Sequence, residues 1–429
     1  MKLLVKGGRI LDPATNTDLV GDLLIEDGVV KQVAASIKAN GADVIDAADM
    51  IVCPGLIDLH VHLREPGFEY KETIASGTRA AANGGFTSVC CMPNTKPVCD
   101  QRAVVALIEQ LAADQGVVNV YPIASITKGQ AGQEITEMGQ LRQSGCVAVS
   151  DDGKPVMSPK VMQLAMQYAK MFSLPVVSHC EDLSMADEGQ VHEGYYATYY
   201  GLKGIPALAE SLMVARDLML ARESGARIHI AHISTAESVA LVRQAKAEGV
   251  RATCEVTPHH LALTDEVIGS YDPDTKVNPP LRSAEHVQAL IEGLRDGTID
   301  CIATDHAPHE LESKDCEYNL ASFGISGLET AVAVLFDRLV KPGLVPVETI
   351  IRALTASPAA AFGLGRGSLE PGSPADVTII NPKLTRTVKP EQFASKGKNT
   401  PFKGMELTGW PVATIVSGRV VMVNGELQE

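Results

Sequence analysis

The sequence predicts an α/β protein, a (β/α)8 TIM-like barrel with a small composite β-domain built from both chain ends. The main observation is a regular alternation of short apolar runs with helix-like stretches through the middle of the chain. Buried parallel strands lack polar alternation, and eight β–α units over about 300 residues are typical of this barrel. The eight runs are residues 55–63, 86–92, 117–124, 146–150, 175–179, 227–232, 251–256 and 300–305.

The second observation concerns the chain ends. Residues 1–53 and 366–429 contain short strand-like segments such as "GDLLIEDGVVKQV" and "GWPVATIVSGRVVMVNGELQE", separated by Gly-Gly and Asp-Gly turn signals. Each end is too small to bury a core alone, so we expect the two to form one β-domain. The barrel domain then spans residues 54–365.

Composition excludes several classes of protein. Apolar residues make up 45% of the chain and charged residues 21%, as in an ordinary globular protein. With 37 Lys and Arg against 52 Asp and Glu, the net charge of −15 disfavours nucleic-acid and anionic-membrane partners. Nine cysteines without a C-x-x-C pair indicate core packing in a reducing compartment. No signal peptide or spanning segment is present in the sequence, which predicts a cytoplasmic protein.

The carboxyl ends of the predicted strands carry imidazoles and carboxylates. In "GLIDLHVHLREPG" (55–67), His60 and His62 point to the same side of one strand, because side chains alternate along a strand. The chemistry of such barrels lies at this end of the strands, and imidazole with carboxylate suits zinc. The sequence therefore predicts a metal site at the barrel mouth. The candidate ligands at these strand ends are His60, His62, Asp151 or Asp152, His179, His232 and Asp305.

This set of residues suits hydrolysis. Zinc lowers the pKa of a bound water to about 7, which yields a hydroxide nucleophile at neutral pH. Asp305, at the end of the last strand, is expected to bind the metal and to accept the proton of that water. The same carboxyl group would then protonate a leaving nitrogen.

Eight motifs in order give the chain a resemblance to the amidohydrolase superfamily, and within it to dihydroorotases of the long bacterial type. They are "DLHVHLREPG" (58–67), "MPNTKP" (92–97), "DDGKPV" (151–156), "SHCED" (178–182), "AHIST" (231–235), "TPHHL" (257–261), "KVNPPLR" (276–282) and "ATDHAPH" (303–309). The resemblance implies reversible hydrolysis of dihydroorotate to N-carbamoyl-L-aspartate, the third step of pyrimidine biosynthesis, with one or two Zn²⁺ ions per chain.

The resemblance also implies roles for the candidate ligands. His60 and His62 would hold one metal together with Asp305, while His179 and His232 face a second position. Asp152 takes the bridging place that a carboxylated lysine fills in many relatives. Lys154 is the alternative bridge.

The resemblance further implies a grip on the substrate. A guanidinium group matches a carboxylate with two parallel hydrogen bonds, which suits Arg64. The polar segment 306–325 would close the pocket. The residues implied to bind substrate are His62, Arg64, Asn94, Asn278, His309 and the backbone of Phe323 and Gly324.

Other interpretations stay open at this stage. A hydantoinase or dihydropyrimidinase is the nearest alternative, but those relatives use a carboxylated lysine and need no carboxylate-binding arginine. An inactive scaffold for aspartate transcarbamoylase is a second alternative, and an active enzyme could also assemble with that partner. A homo-oligomer is expected. We assign His229, His259 and His260 to packing or supporting roles.

Overall fold

A computed structural model describes residues 2–428. Its strands, in chain order, are β1 (Lys2–Asp12), β2 (Thr17–Glu26), β3 (Val29–Ala34), β4 (Asp43–Asp46), β5 (Ile51–Pro54), β6 (Leu56–Val61), β7 (Phe86–Cys91), β8 (Asn119–Ala124), β9 (Ala148–Ser150), β10 (Val176–Ser178), β11 (Val191–His192), β12 (Gly204–Ile205), β13 (Ile228–Ile230), β14 (Ala252–Val256), β15 (Cys301–Ile302), β16 (Val377–Thr387), β17 (Glu406–Val416), β18 (Arg419–Val423) and β19 (Glu426–Leu427).

The helices connect these strands. They are α1 (Ile74–Asn83), α2 (Arg102–Gln115), α3 (Met138–Gln143), α4 (Pro159–Met171), α5 (Leu183–Ala186), α6 (Tyr195–Tyr200), α7 (Ala207–Ser224), α8 (Ala236–Ala247), α9 (Pro258–Ala262), α10 (Ala284–Arg295), α11 (Ala331–Leu335), α12 (Val347–Leu354) and α13 (Ala356–Phe362). Their starts carry sequence signals: Thr73 and Ser76 form a capping box at α1, and Ser158 caps α4 ahead of Pro159.

The predicted barrel is confirmed. Eight parallel strands lie in the order β15-β14-β13-β10-β9-β8-β7-β6. The last strand approaches the first through a parallel bridge between Val61 and His306, and the amide of His62 donates to the carbonyl of His306 at 2.8 Å. The strands are shorter than the apolar runs, so Asp305 lies three residues beyond the end of β15. Closure nevertheless brings the first and eighth strand ends together.

The two chain ends form one sheet, as the sequence predicts. Its nine strands follow the order β19-β18-β17-β16-β5-β1-β2-β3, with β4 beside β1. Strand β16 pairs with β5, which joins the end of the chain to its beginning, and their buried apolar residues share one core. The domain boundaries at 53/54 and 365/366 stay a prediction.

The turn signals in this sheet have two different outcomes. Asp27 and Gly28 link β2 to β3 with φ of 50° and 80°, as the Asp-Gly signal predicts. Gly7 and Gly8 do not form a turn, and that expectation was wrong. They lie inside β1, where the register shifts between Val5 and Gly8, so the pair accommodates a β-bulge.

Two further expectations concern burial. All the cysteines are free thiols, and all except Cys316 are buried, which confirms their role in packing. Across residues 2–428, none of the helices combines the length and the apolar character needed to cross a membrane.

Candidate active site

The barrel mouth brings together all six residues predicted as metal ligands. Histidine nitrogens and carboxylate oxygens there lie within 4.8 Å of one another in three overlapping groups. The groups are His60, His232 and Asp305; His60, His62 and Asp152; and Asp152, His179 and His232. Because these residues come from five different strand ends, the barrel itself assembles the cluster.

The first histidine pair lies at the end of β6. The Nε2 atom of His60 is 3.3 Å from Asp152 Oδ1 and 3.4 Å from Asp305 Oδ1. The Nε2 atom of His62 is 3.1 Å from Asp305 Oδ1 and 3.5 Å from Asp152 Oδ2. Both rings thus point the same nitrogen at the same two carboxylates, as strand alternation predicts.

The other nitrogen of each ring in this pair is held by the protein. His60 Nδ1 lies 2.6 Å from Glu255 Oε1, and His62 Nδ1 lies 2.9 Å from Asn94 Oδ1. An oxygen of a carboxylate or an amide can only accept, so Nδ1 carries the proton in both rings. Each Nε2 faces the carboxylates of the cluster, and on loss of its proton it would offer a lone pair to a cation bound there.

The second histidine pair is arranged differently. His179 Nδ1 and His232 Nε2 are 2.8 Å apart and share a hydrogen bond. Each of these two nitrogens is 3.6 Å from Asp152 Oδ1. The carboxylate of Asp152 thus lies within 3.6 Å of a nitrogen of all four histidines. Lys154, the alternative bridge, is exposed, whereas Asp152 is buried.

The residues fit a metal ion. His60 Nε2 and Asp152 Oδ1 are buried and, within residues 2–428, neither atom has a hydrogen-bond partner. A buried unpaired polar atom is costly unless something else binds it. A nitrogen lone pair and a carboxylate oxygen are the donors that divalent metals of the zinc type prefer.

Charges in the cluster shift one another's pKa values. Burial would raise the pKa of Asp152, but the neighbouring His60 and His232 hold it well below the usual range. Burial likewise opposes ionisation of Asp305, whose pKa is lowered by His60 and His62. These histidines thus favour the carboxylate form, which is the form that binds a cation.

Three site residues have backbone conformations that ordinary residues seldom adopt. Arg64 has φ of 63°, His232 of 31° and Asp305 of 47°. A left-handed conformation in a residue other than glycine costs about 1 kcal/mol or more, and such residues cluster at functional sites. Each of the three lies two or three residues beyond the end of a barrel strand.

The predicted carboxylate clamp lies beside the metal-facing pair. Arg64 Nε donates to the carbonyl of Pro308 at 3.4 Å, the one hydrogen bond that its guanidinium makes within residues 2–428. Asn94 accepts from His62 through Oδ1, so its amide nitrogen remains available. Both side chains can therefore still donate to a ligand.

The remaining predicted substrate contacts are bonded to other protein groups. His309 donates from Nε2 to the carbonyl of Phe323 at 2.9 Å, and the ammonium of Lys71 lies 3.3 Å from its Nδ1. The amide of Gly324 donates to the carbonyl of Lys276 at 2.9 Å. In this conformation both ring nitrogens of His309 contact protein groups, so a ligand could bind to this ring only if one of these contacts opened.

Two buried lysines also fasten this segment. Lys314 donates to the carbonyls of Pro273 at 2.8 Å and Ser322 at 2.7 Å, and burial lowers its pKa to about 8. Lys276 donates to the carbonyl of Asn319 at 3.0 Å, and its Nζ lies 4.6 Å from the centre of the Phe323 ring. These contacts hold the segment in one position, and its closing of the pocket stays a prediction.

Sequence reasoning missed two acidic residues. Glu255 accepts from His60, and Glu181 Oε2 lies 3.5 Å from His179 Nε2 and accepts from Asn278 at 3.2 Å. Burial opposes ionisation of Glu255, but His60 and His229 lower its pKa to about 2. A signal for Glu255 was present, since a lone glutamate inside the apolar run "RATCEV" requires a buried partner.

His229, His259 and His260 belong to none of the three candidate metal groups found within residues 2–428, and their supporting roles stay a prediction. His229 lies inside β13 and contacts Glu255 rather than the cluster. His260 accepts or donates only within the protein, to Thr257 at 2.8 Å and the carbonyl of Pro279 at 2.9 Å. His259 is buried beside it, with ring centres 4.6 Å apart.

Comparisons with known proteins show the family of the chain. A model of the Dihydro-orotase-like family matches residues 49–238. A dihydroorotase of Pelotomaculum thermopropionicum is 57% identical over 423 residues, covering 98% of this chain and 99% of the relative. A dihydroorotase of Acetivibrio thermocellus is 50% identical over 420 residues, covering 98% and 99%.

Solved structures show the same fold and bear on the hydantoinase alternative. An L-hydantoinase (dihydropyrimidinase) from Arthrobacter aurescens superposes with a TM-score of 0.91, covers 100% of this chain and 97% of its own, and is 27% identical. The hydantoinases share the barrel at much lower identity than the dihydroorotases, so the hydantoinase alternative is not favoured. With about half or more of its residues identical to dihydroorotases over nearly its full length, the chain belongs to the dihydroorotase family and is a cyclic amide hydrolase with a metal cofactor.

Proposed function

We propose that this chain catalyses the reversible hydrolysis of dihydroorotate to N-carbamoyl-L-aspartate, the third step of pyrimidine biosynthesis, with zinc as its metal. The observation that carries this proposal is the buried cluster of four histidines and two aspartates beside the available guanidinium of Arg64. The cluster suits hydrolysis of an amide, and the guanidinium suits a substrate with a carboxylate.

The cluster supports a metal site with one or two ions. A bound zinc supplies Lewis-acid activation of water and of the amide carbonyl at neutral pH. Asp152 belongs both to the group with the first histidine pair and to the group with the second, which supports its role as the bridging ligand. The proposed ligands are His60, His62 and Asp305 for one ion, His179 and His232 for the other, and Asp152 between them.

Asp305 is the proposed proton carrier. Its carboxylate takes the proton of the attacking water as the new carbon–oxygen bond forms, and it returns that proton to the ring nitrogen as the carbon–nitrogen bond breaks. Oδ1 of Asp305 lies 3.1 Å from Nε2 of His62. Arg64 of the proposed substrate clamp follows His62 by two residues, so this contact supports a position of Asp305 close to the substrate. In the reverse reaction Asp305 carries the proton in the opposite direction.

Arg64 and Asn94 are the proposed clamp for the substrate carboxylate. The guanidinium offers two parallel donors and Asn94 offers its amide nitrogen. Asn278 and the lid residues His309, Phe323 and Gly324 complete the proposed pocket. The carbonyl of Phe323 already accepts from His309, but a carbonyl oxygen has a second lone pair for a ring N–H.

The test is turnover of dihydroorotate by the zinc-loaded protein, with dihydrouracil and hydantoin assayed in parallel. We expect activity on dihydroorotate only. Arg64→Met should raise KM for dihydroorotate by about 10- to 100-fold, the equivalent of one charge-assisted hydrogen-bonded pair. Turnover of the uncharged rings by the wild-type protein, or an unchanged KM in the variant, would contradict the clamp.

Assembly is a separate proposal. We propose self-association, and assembly with aspartate transcarbamoylase as a further option for an active enzyme in the same pathway. The retained metal-binding set argues against a purely inactive scaffold. Co-elution of the two purified proteins at micromolar concentration would support the complex, whereas separate peaks would count against it.

A further inference from the structure

Glu255 lies in β14 and is 1% exposed, and the proposed mechanism gives it no role. We propose that Glu255 is a positioning residue that sets the tautomer and orientation of His60, so that Nε2 of this ring faces the metal position. The inference rests on the proposed metal site. It extends that site to a buried chain of hydrogen bonds running through the barrel interior.

The first link of the chain is the contact with His60. Glu255 Oε1 lies 2.6 Å from His60 Nδ1, and both side chains are almost completely buried. Because a carboxylate accepts but does not donate, the proton sits on Nδ1 and the lone pair sits on Nε2. Within residues 2–428, His60 Nε2 has no hydrogen-bond partner, and it faces Asp152 and Asp305.

The second link holds Glu255 itself. His229 Nε2 donates to Glu255 Oε2 at 3.1 Å, and the Thr253 hydroxyl lies 2.8 Å from His229 Nδ1. With Nε2 protonated, Nδ1 of His229 accepts from Thr253. In this chain Thr253 donates to His229, and both His229 and His60 donate to Glu255. These hydrogen bonds hold the carboxylate in a single orientation.

The same carboxylate also reaches a second proposed ligand. The backbone amide of His232 donates to Glu255 Oε1 at 3.3 Å. His232 has a φ of 31°, a conformation that requires support from its surroundings. Glu255 therefore ties the ring of one metal-facing histidine to the backbone of another, and joins the ends of β6 and β13 across β14.

If Glu255 had a purely structural role, its side chain would not need a negative charge. A buried carboxylate is expensive unless charges or donors compensate it, and a glutamine of the same shape avoids this cost. The charge has a use next to a metal-binding imidazole, since a carboxylate on the far nitrogen increases the basicity of the ligating one. Glu255→Gln keeps the volume, removes the charge and replaces one of the two acceptor oxygens by an amide NH2, and the oxygen that it retains can still accept from His60.

The experiment measures zinc affinity by competition with a chelator. We expect Glu255→Gln to bind zinc about 10- to 100-fold more weakly than the wild-type protein. The matched control is Glu329→Gln, which also removes a buried carboxylate, one held by Asn83 and by the amides of Ala394 and Ser395. Zinc affinity of the control should stay within about twofold of wild type, because Glu329 contacts none of the proposed ligands.

Unchanged zinc affinity in Glu255→Gln, or an equal loss in both variants, would overturn the inference. A second measurement needs no variant: ¹⁵N NMR of histidine-labelled wild-type protein loaded with zinc should show His60 protonated at Nδ1 and zinc-bound at Nε2. The opposite tautomer would refute the proposal. Neither measurement uses turnover, so failure to hydrolyse dihydroorotate would bear only on the proposed function.

Discussion

The two histidine pairs of the barrel mouth are supported in different ways. In the first pair, Nδ1 of His60 and of His62 is held by Glu255 and Asn94, which leaves both Nε2 atoms directed at the carboxylates. In the second pair, His179 and His232 bond to each other at 2.8 Å. One of those two nitrogens carries a proton, so the pair must break this bond before both rings can bind one ion.

This difference separates preorganised ligands from ligands that have to rearrange. In both pairs a facing nitrogen makes a hydrogen bond, from His62 Nε2 to Asp305 in the first pair and between the two rings in the second. Rings that are already oriented through their far nitrogen spend less free energy on reorienting than rings whose facing nitrogens bond to each other. We therefore expect the first pair to dominate metal binding, with the second position filled later. The following predictions test this asymmetry, in order of decreasing effect on turnover.

The largest effect is expected for Asp305→Ala. Asp305 faces the first pair, and removing its carboxylate removes the proposed proton carrier, so kcat should fall about 10³-fold or more. Five proposed ligands remain, so the purified variant should retain at least one zinc by elemental analysis and an unchanged thermal midpoint. Activity close to wild type would exclude Asp305 from the mechanism.

The next prediction concerns metal stoichiometry. Calorimetric titration of metal-stripped protein with zinc should resolve a first ion that binds about tenfold or more tightly than a second, the equivalent of one hydrogen bond lost at the second position. His62→Ala should weaken the first step, and His179→Ala should weaken the second while leaving the first. Two binding steps of equal zinc affinity in the wild-type protein would contradict the expected difference between the two histidine pairs.

Gly324→Ala tests the proposed role of the segment 306–325 as a lid over the two histidine pairs. Gly324 has φ of 142°, and a Cβ there would lie 2.6 Å from the carbonyl oxygen of Ala307. The lid must shift, so we expect KM for dihydroorotate to rise several-fold with a smaller change in kcat. Gly343→Ala is the matched control, because it also has positive φ but its Cβ would meet nothing within 4 Å. A similar KM change in both variants would contradict a role of the lid.

The smallest effect on turnover is expected for Glu329→Gln, which changes a buried carboxylate away from the barrel mouth. Burial raises the pKa of Glu329 to about 7, above its unfolded value near 4.3. The folded state thus favours the protonated form. The stability that follows is fully present below about pH 4.3 and is lost as pH rises toward about 7, by about 4 kcal/mol.

Urea unfolding between pH 4.5 and 7.5 checks this sign. The free energy of unfolding of the wild-type protein should fall relative to that of Glu329→Gln as pH rises, and kcat of the variant should stay near wild type. A constant difference between the two proteins across this range would show that Glu329 does not titrate as described.

Much of the site could be predicted from local sequence alone. Alternation along β6 places His60 and His62 on one side, and the strand-ending positions of His179, His232 and Asp305 follow from the rhythm of apolar runs. These predictions depend only on the period of a strand and on the rule that parallel strand ends meet. The eight barrel strands and the shared sheet of the chain ends were confirmed for the same reason.

Other features depend on residues that are far apart in the chain. His60 and Glu255 are 195 positions apart, and their contact exists only because β6 and β14 face the same barrel interior. His309 looked like a ligand-binding residue, yet its two nitrogens are used by Lys71 and Phe323. Gly7 and Gly8 resembled a turn but form a bulge, because the pairing of β1 with β2 continues past them.

The sequence by itself therefore determined the barrel, the composite sheet, the family and which histidines and aspartates meet at the barrel mouth, since these follow from periodicity and ordered motifs. Only the tertiary structure decided which nitrogen of each ring is available, which pair is preorganised and what fastens the lid. Those properties depend on hydrogen-bond partners brought together by barrel closure, and a linear pattern carries no information about which distant donor meets which acceptor.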